Sequence, residues 1–191
     1  MKSKLKIAIF ASGAGSNALK IIQYFENNIH IKIDLIVSNN SNAYVLEIAK
    51  LYNIKAIVIK KINLINDELV NTLNINNINL VVLAGFLLQL PPNFIHIFNG
   101  KIINIHPSLL PKYGGKGMYG MNVHQAVKDA KDTKTGITIH YVNENYDEGE
   151  IILQKDVKVD LSDTIENIAN KVHQLEYLYF APTIEKLCLE M

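Results

Sequence analysis

Between residues 5 and 105 the chain alternates short, β-branched apolar runs with stretches whose apolar residues recur at helical spacing. Runs at 5–11, 31–38, 54–59, 78–86 and 101–105 read as strands. The stretches 16–25, 43–52 and 67–73 read as helices, and a short helix is predicted after Pro91-Pro92, since proline is tolerated in a first turn. In 16–25, Leu19, Ile21, Ile22 and Phe25 form the apolar face, with Ser16 or Asn17 near the start. Strand and helix in turn, joined by short links, leave few solutions. The pattern predicts an α/β fold with a parallel sheet.

Size and charge exclude several functions. A chain of 191 residues, 49% of them hydrophobic, can bury a full core as one domain. Lys plus Arg number 19 against 18 for Asp plus Glu, a net charge of +1 that leaves no electrostatic footprint for nucleic acid or an anionic membrane. The single Cys188 excludes an internal disulfide and a cysteine-based metal site, and a reducing cytoplasm is the expected compartment. Met1-Lys-Ser-Lys-Leu-Lys6 is basic, but the apolar run after it is too short for a signal peptide or a membrane span.

The loop Ser12-Gly-Ala-Gly-Ser-Asn17 joins the first strand to the first helix. Glycines let the backbone turn sharply, and a helix amino terminus offers free N–H groups to an anion. With Ala18 the run formally matches the dinucleotide fingerprint Gly-x-Gly-x-x-Ala, but the second strand ends in Ser38-Asn39-Asn40 rather than in the acid that would hold a ribose. A phosphate therefore suits the loop better than a dinucleotide, with a plain tight turn as the bland reading. The absence of a Gly-Lys-Ser/Thr ending excludes a nucleoside-triphosphate P-loop.

Asn104-Ile-His-Pro-Ser-Leu-Leu-Pro-Lys-Tyr113 follows the last of these strands. Residues two apart share one face of an extended backbone, so Asn104 and His106 stand side by side. Pro107 and Pro111 then stop regular structure. An amide can donate to a developing oxyanion and an imidazole can move a proton near neutral pH. A polar strand end with a solvated histidine is the plainer alternative.

Further on, 135–142 alternates as a strand, with Ile137, Ile139 and Tyr141 on one face and Thr138, His140 and Val142 on the other. A loop leads to Asp147-Glu-Gly149 and a strand at 151–159. Asp147 reads either as turn chemistry or as a carboxylate folded over the strand end toward His106, where it would raise the imidazole pKa. A last long helix is predicted over 163–180, with Pro182 breaking or restarting it. Its stripe of Ile165, Ile168, Ala169, Val172, Leu175 and Tyr179 leaves Glu176 at the apolar edge, near His173. A carboxylate there needs a partner, either a basic side chain or a ligand hydroxyl.

Together the segments Ser12 to Asn17, Val82-Leu-Ala-Gly-Phe86, Asn104 to Tyr113, Gly136-Ile-Thr-Ile-His-Tyr-Val142 and Asp147-x-Gly149-x-Ile-Ile-Leu-Gln154 are recognisable. In order and spacing, over essentially the whole chain, they resemble the folate-dependent formyltransferases, and among them the phosphoribosylglycinamide formyltransferases of purine synthesis. The resemblance implies a single-domain, Rossmann-like open sheet, twisted and mainly parallel, with helices on both faces. Residues 1–105 would form the phosphate-binding half and 106–191 the folate-binding and catalytic half. It implies formyl transfer from 10-formyltetrahydrofolate to glycinamide ribonucleotide, without a metal, in a cytoplasmic monomer or homodimer. Asn104, His106 and Asp147 would be catalytic, with His106 kept charged by Asp147 and His140 in support. Gly15, Ser16 and Asn17 would hold the 5′-phosphate and Glu176 the ribose. The folate would lie on Leu87, Leu88, Gln89, Leu90, Asn104, Asn143, Glu144 and Tyr146.

The chain departs from the family at several points. Leu88 stands where a basic residue is common, and a family arginine just before the third helix has no match, leaving Lys60 or Lys61 as substitutes. Gly114-Gly-Lys-Gly-Met-Tyr-Gly120 replaces a shorter Pro-Gly form and leads into a helix over 123–130, where His124 follows the family pattern. His173 takes the place of a phosphate-contacting lysine. Methionyl-tRNA formyltransferases share Asn-x-His-Pro-Ser but carry an added nucleic-acid domain without counterpart in this sequence. A 10-formyltetrahydrofolate hydrolase and a non-catalytic folate- or nucleotide-binding module are the remaining alternatives.

Overall fold

The sheet is built outward from its most apolar strands. In the computed structural model, which describes residues 4–191, β1 (Leu5–Phe10) is flanked by β2 (Ile31–Ser38) and β4 (Leu80–Leu83). β3 (Lys55–Val58) forms one edge; β5 (Lys101–His106), β6 (Lys134–Tyr141) and β7 (Ile151–Lys158) extend the other, giving the order β3-β2-β1-β4-β5-β6-β7. The first five strands are parallel; β6 pairs antiparallel with β5, and β7 antiparallel with β6. Of the basic opening residues, Met1 to Ser3 lie outside the described residues.

Alternate residues of the central strands feed two cores, as the period of two requires. Ile7 and Ile9 join α1 (Ser16–Phe25), α2 (Val45–Leu51) and α7 (Ile165–Leu189) on one face. Ala8 and Phe10 meet the elements of the other face: α3 (Lys61–Ile65), α4 (Glu68–Ile75) and α5 (Pro92–Ile97). α6 (Met121–Asp129) packs beside α7 through Val127 and Ile168. The open, mainly parallel sheet with helices on both faces agrees with the reading of the sequence.

Two expectations change. The segment 61–65 is a helix, α3, where none is predicted; Lys60 N–H bonds Asn63 Oδ1 at 2.8 Å and fixes its start. α7 runs unbroken from Ile165 to Leu189, through Pro182. Proline removes one ladder bond, but burial of Phe180, Ala181, Ile184 and Leu187 on the core side holds the axis together. Thr183 Oγ1 also donates to the Tyr179 carbonyl at 2.7 Å. At the other end Thr164 caps the helix, accepting from Asn167 N–H at 3.2 Å.

β6 and β7 approach too closely at one point for any side chain but hydrogen. A Cβ on Gly136 would overlap the Lys155 carbonyl oxygen and come within 2.8 Å of Leu109 Cδ2, in the loop after β5. Gly136→Ala is expected to cost roughly 1–3 kcal/mol by overpacking, seen as a melting temperature lowered by roughly 3–9 °C. An unchanged melting curve would contradict this account of the β6–β7 contact.

Candidate active site

In the order 3-2-1-4-5 the chain crosses from one side of β1 to the other, so the loops after β1 and β4 diverge and leave a crevice at the strands' carboxyl ends. A cleft of about 760 Å³ lies there. Its walls come from the loop after β1, the Leu83–Leu90 segment, the ends of β5 and β6, the 115–120 loop, the 143–147 loop and α7.

β5 delivers Asn104 and His106 to this cleft, and β6 delivers His140 directly across from Asn104. Asn104 Nδ2 lies 3.1 Å from His140 Nε2, and His140 Nδ1 lies 2.8 Å from the Tyr141 carbonyl. A carbonyl can only accept, so Nδ1 donates, and Nε2 is left to accept from the Asn104 amide. This fixes which way Asn104 points and leaves its second amide hydrogen free.

His106 is 4% exposed. Its Nε2 donates to the Tyr113 carbonyl at 2.8 Å, and its Nδ1 faces Asp147 Oδ2 at 3.5 Å. Asp147 accepts from the Gly115 N–H at 2.9 Å, and its other oxygen lies 3.7 Å from His140 Nε2. The sequence left Asp147 between a turn and a partner of His106. It is both: its backbone is left-handed, φ 56°, and its carboxylate closes over the strand end. Tyr113, which supplies the other contact to His106, is also left-handed, φ 57°.

The loop between β5 and Tyr113 is clamped from beneath. Thr138 Oγ1 donates to the Ser108 carbonyl at 2.7 Å and accepts from Leu110 N–H at 3.0 Å and from Gln154 Nε2 at 2.9 Å. Sequence reasoning missed Thr138, Gln154 and the backbone groups of Tyr113 and Gly115. Backbone partners carry no side-chain signature, but the alternation of β6 had already placed Thr138 on the face of His140.

Opposing effects bear on the charge of His106. Burial pushes the imidazole below its ordinary range, and this outweighs the upward pull of the Asp147 carboxylate and of the bond to Tyr113. For Asp147 burial works upward, yet the Gly115 N–H and the charge that the His140 and His106 rings carry when protonated hold the carboxyl below its usual range. The lowered pKa favours a neutral His106 beside the Asp147 carboxylate, with Nε2–H held by Tyr113 and Nδ1 facing Asp147 Oδ2 at 3.5 Å.

The opposite wall starts with Gly15, whose left-handed backbone (φ 72°) caps α1 and brings its Cα against Val45, where a Cβ would lie 2.7 Å from Val45 Cβ. No side chain caps this helix end, so the N–H groups after Gly15 remain available to an anion. Ser12 Oγ accepts from the Leu87 N–H at 2.8 Å and donates to Asn39 Oδ1 at 2.5 Å, tying the loop to the ends of β2 and β4. Glu176, 5% exposed, has in His173 one of the two kinds of partner that its position demanded, a basic side chain. Its Oε2 takes Asn17 Nδ2 at 2.9 Å and His173 Nδ1 at 2.8 Å, while the residue itself lines the cleft.

Leu87, Leu88, Gln89, Leu90, Asn143 and Tyr146 all line the cleft. Glu144 does not: its carboxylate pairs with His96 Nε2 at 2.6 Å, and its carbonyl accepts from Gln89 Nε2 at 3.3 Å, bridging the two loops. Lys60 and Lys61 are also absent from the lining. Among the described residues no cluster of three or more His, Cys, Asp or Glu side chains is arranged to hold a metal ion.

The geometry around His106 makes a spectroscopic prediction. Its imidazole resonances should titrate with a midpoint below the usual histidine range. Asp147→Asn, which removes the largest upward pull, should shift that midpoint lower still. A midpoint that rises in the variant would overturn the assignment of opposing effects.

The comparisons with known proteins agree with one another. The family model described as formyl transferase matches residues 5–184. The chloroplastic phosphoribosylglycinamide formyltransferase of Arabidopsis thaliana is 36% identical over 192 residues, covering 97% of this chain and 66% of that protein. The chain spans 61% of the Vigna unguiculata chloroplastic counterpart. The phosphoribosylglycinamide formyltransferase of Bacillus subtilis is 35% identical, with 95% of this chain and 94% of that protein covered. The crystal structure of the enzyme of that name from Anaplasma phagocytophilum superposes with a TM-score of 0.89 at 32% identity, covering 98% of this chain and 88% of that one. The chain belongs to the formyl transferase family.

Proposed function

We propose that this chain transfers the formyl group of 10-formyltetrahydrofolate to the amine of glycinamide ribonucleotide. The observation that carries this reading is one cleft with three features side by side. An uncapped helix end at Gly15–Asn17 suits a phosphate, Leu87–Leu90 and the 143–146 loop form an apolar slot with backbone polar groups, and Asn104, His106 and Asp147 stand between them. Relatives named for the same reaction support it. On this reading Gly15, Ser16 and Asn17 bind the 5′-phosphate and Glu176 the ribose hydroxyls. Leu87, Leu88, Gln89, Leu90, Asn143 and Tyr146 hold the pterin.

In this proposal His106 starts as a neutral base, the form that burial favours. The amine nitrogen attacks the formyl carbon, whose carbonyl oxygen becomes an oxyanion while the nitrogen becomes cationic. Asn104, with one amide hydrogen held by His140, gives the other to the oxyanion. The amine proton passes, directly or through water, to His106 Nδ1, the ring nitrogen not engaged by Tyr113. The imidazolium so formed is stabilised by Asp147 at 3.5 Å. Collapse of the oxyanion breaks the carbon–N10 bond as the proton is returned to N10, giving the formamide and tetrahydrofolate. A histidine held below its ordinary pKa serves this cycle because it starts neutral and returns the proton readily.

The protein acts in this proposal as a single cytoplasmic domain, alone or as a homodimer, on small molecules. No helix among the described residues is long and apolar enough to cross a membrane.

The test is a spectroscopic assay with 10-formyltetrahydrofolate, run with and without glycinamide ribonucleotide. Folate release that requires the ribonucleotide is the expected outcome; release without it marks a hydrolase, and no release from folded protein marks a binding module. Asp147→Asn and His106→Ala should leave the fold intact and lower turnover about a hundredfold or more. Near-normal turnover in either would remove that residue from the mechanism.

A further inference from the structure

The cleft must neutralise a phosphate, yet its supply of positive charge is small. All 19 residues counted as Lys plus Arg are lysines, so the chain has no guanidinium to offer. Among the described residues lining the cleft, Lys116 is the single lysine. The wall that holds the α1 amino terminus also carries the Glu176 carboxylate, which repels an anion. His173 spends Nδ1 on Glu176 at 2.8 Å; that bond raises its pKa, but the charge it gains is paired with the carboxylate, so the two together offer an anion no net positive charge. His124 is held neutral by burial, its pKa pushed down to about 4, and its Nδ1 is buried without a hydrogen-bond partner although the residue lines the cleft.

We propose that Lys116, on the loop between Tyr113 and α6, is the cation that binds the substrate's 5′-phosphate and sets the affinity for the phosphorylated substrate. The inference rests on the function proposed above. Lys116 is exposed and has no hydrogen-bond or ion-pair partner among the described residues, so nothing competes for its ammonium group. Its neighbours place it. Gly115 N–H donates to Asp147 at 2.9 Å, which fixes the start of the loop beside the reacting centre. The loop then leads into α6, where the His124 ring meets the His173 ring edge-on at 6.4 Å, and His173 connects through Glu176 to Asn17 on α1. The segment thus runs from the catalytic carboxylate toward the wall of the phosphate loop. The folate side is closed separately, by Gln89 and the Glu144 carbonyl. A lysine ammonium on a flexible stem acts as a point charge, and helix N–H groups supply the directed hydrogen bonds that it lacks.

The test compares wild type, Lys116→Ala and Lys116→Arg with glycinamide ribonucleotide and with the same compound lacking the phosphate. Lys116→Ala should raise KM for the ribonucleotide by about tenfold or more, with kcat and KM for 10-formyltetrahydrofolate within about twofold. Lys116→Arg should restore most of the affinity, since it keeps the charge. With the dephosphorylated substrate, wild type and Lys116→Ala should be indistinguishable, a result that mere disturbance of the loop would not give. An unchanged ribonucleotide KM, or a rise confined to the folate KM, would overturn the proposal. Wild type that fails to use the ribonucleotide at all would instead overturn the function on which it rests.

Discussion

One half-buried carboxylate ties the two halves of the site together. Asp147 is contacted by the rings of His106, from β5, and His140, from β6, and by the backbone of Gly115. It is a polar anchor common to all three segments, and it stabilises the charge that the buried imidazole acquires. The two residues that grip His106 from either side, Tyr113 and Asp147, are both held in left-handed backbone conformations. Such conformations persist only where their surroundings over-determine them. Here the surroundings are the clamp of Thr138 and Gln154 beneath the loop and the close packing of β6 on β7 at Gly136.

The topology divides the labour. Strands on one side of the crossover supply a helix end with unpaired N–H groups; those on the other supply an apolar slot. The reacting pair sits at the seam where parallel pairing gives way to antiparallel. Asn104 is registered with Leu83 on the parallel side and with His140 on the antiparallel side, where β6 enters from the opposite direction.

Much of this was legible in the sequence because it is local. Strand–helix alternation, the uncapped glycine loop and the Asn104–His106 spacing each depend on a few consecutive residues and their period. The misses are of another kind. Helix α3 is one short turn-rich element, Lys61–Ile65, with a single buried residue, Leu64, too few to write a helical period. Pro182 lies inside α7 because tertiary packing outweighs the local penalty. Whether Asp147 turned toward His106 depended on a contact spanning some forty residues, and Glu144 was claimed by His96, a partner that no local pattern announces. Burial, the effect that works against a charge on His106, is a property of the whole fold and has no local signature.

The pairing of β5 with β6 has a consequence for how such chains can change over generations. Ile103 faces Tyr141, Asn104 faces His140, Ile105 faces Ile139 and His106 faces Thr138. With a side-chain period of two, a single residue gained or lost within either strand would turn His140 and Thr138 to the opposite face. The amide would lose its partner and the loop its clamp in one event. Length variation in descendants of this sequence is therefore confined to places such as the glycine-rich 114–120 segment, which joins elements without setting their register. Lineages can remodel how they hold the substrate there while the ruler that spaces the reacting groups stays fixed.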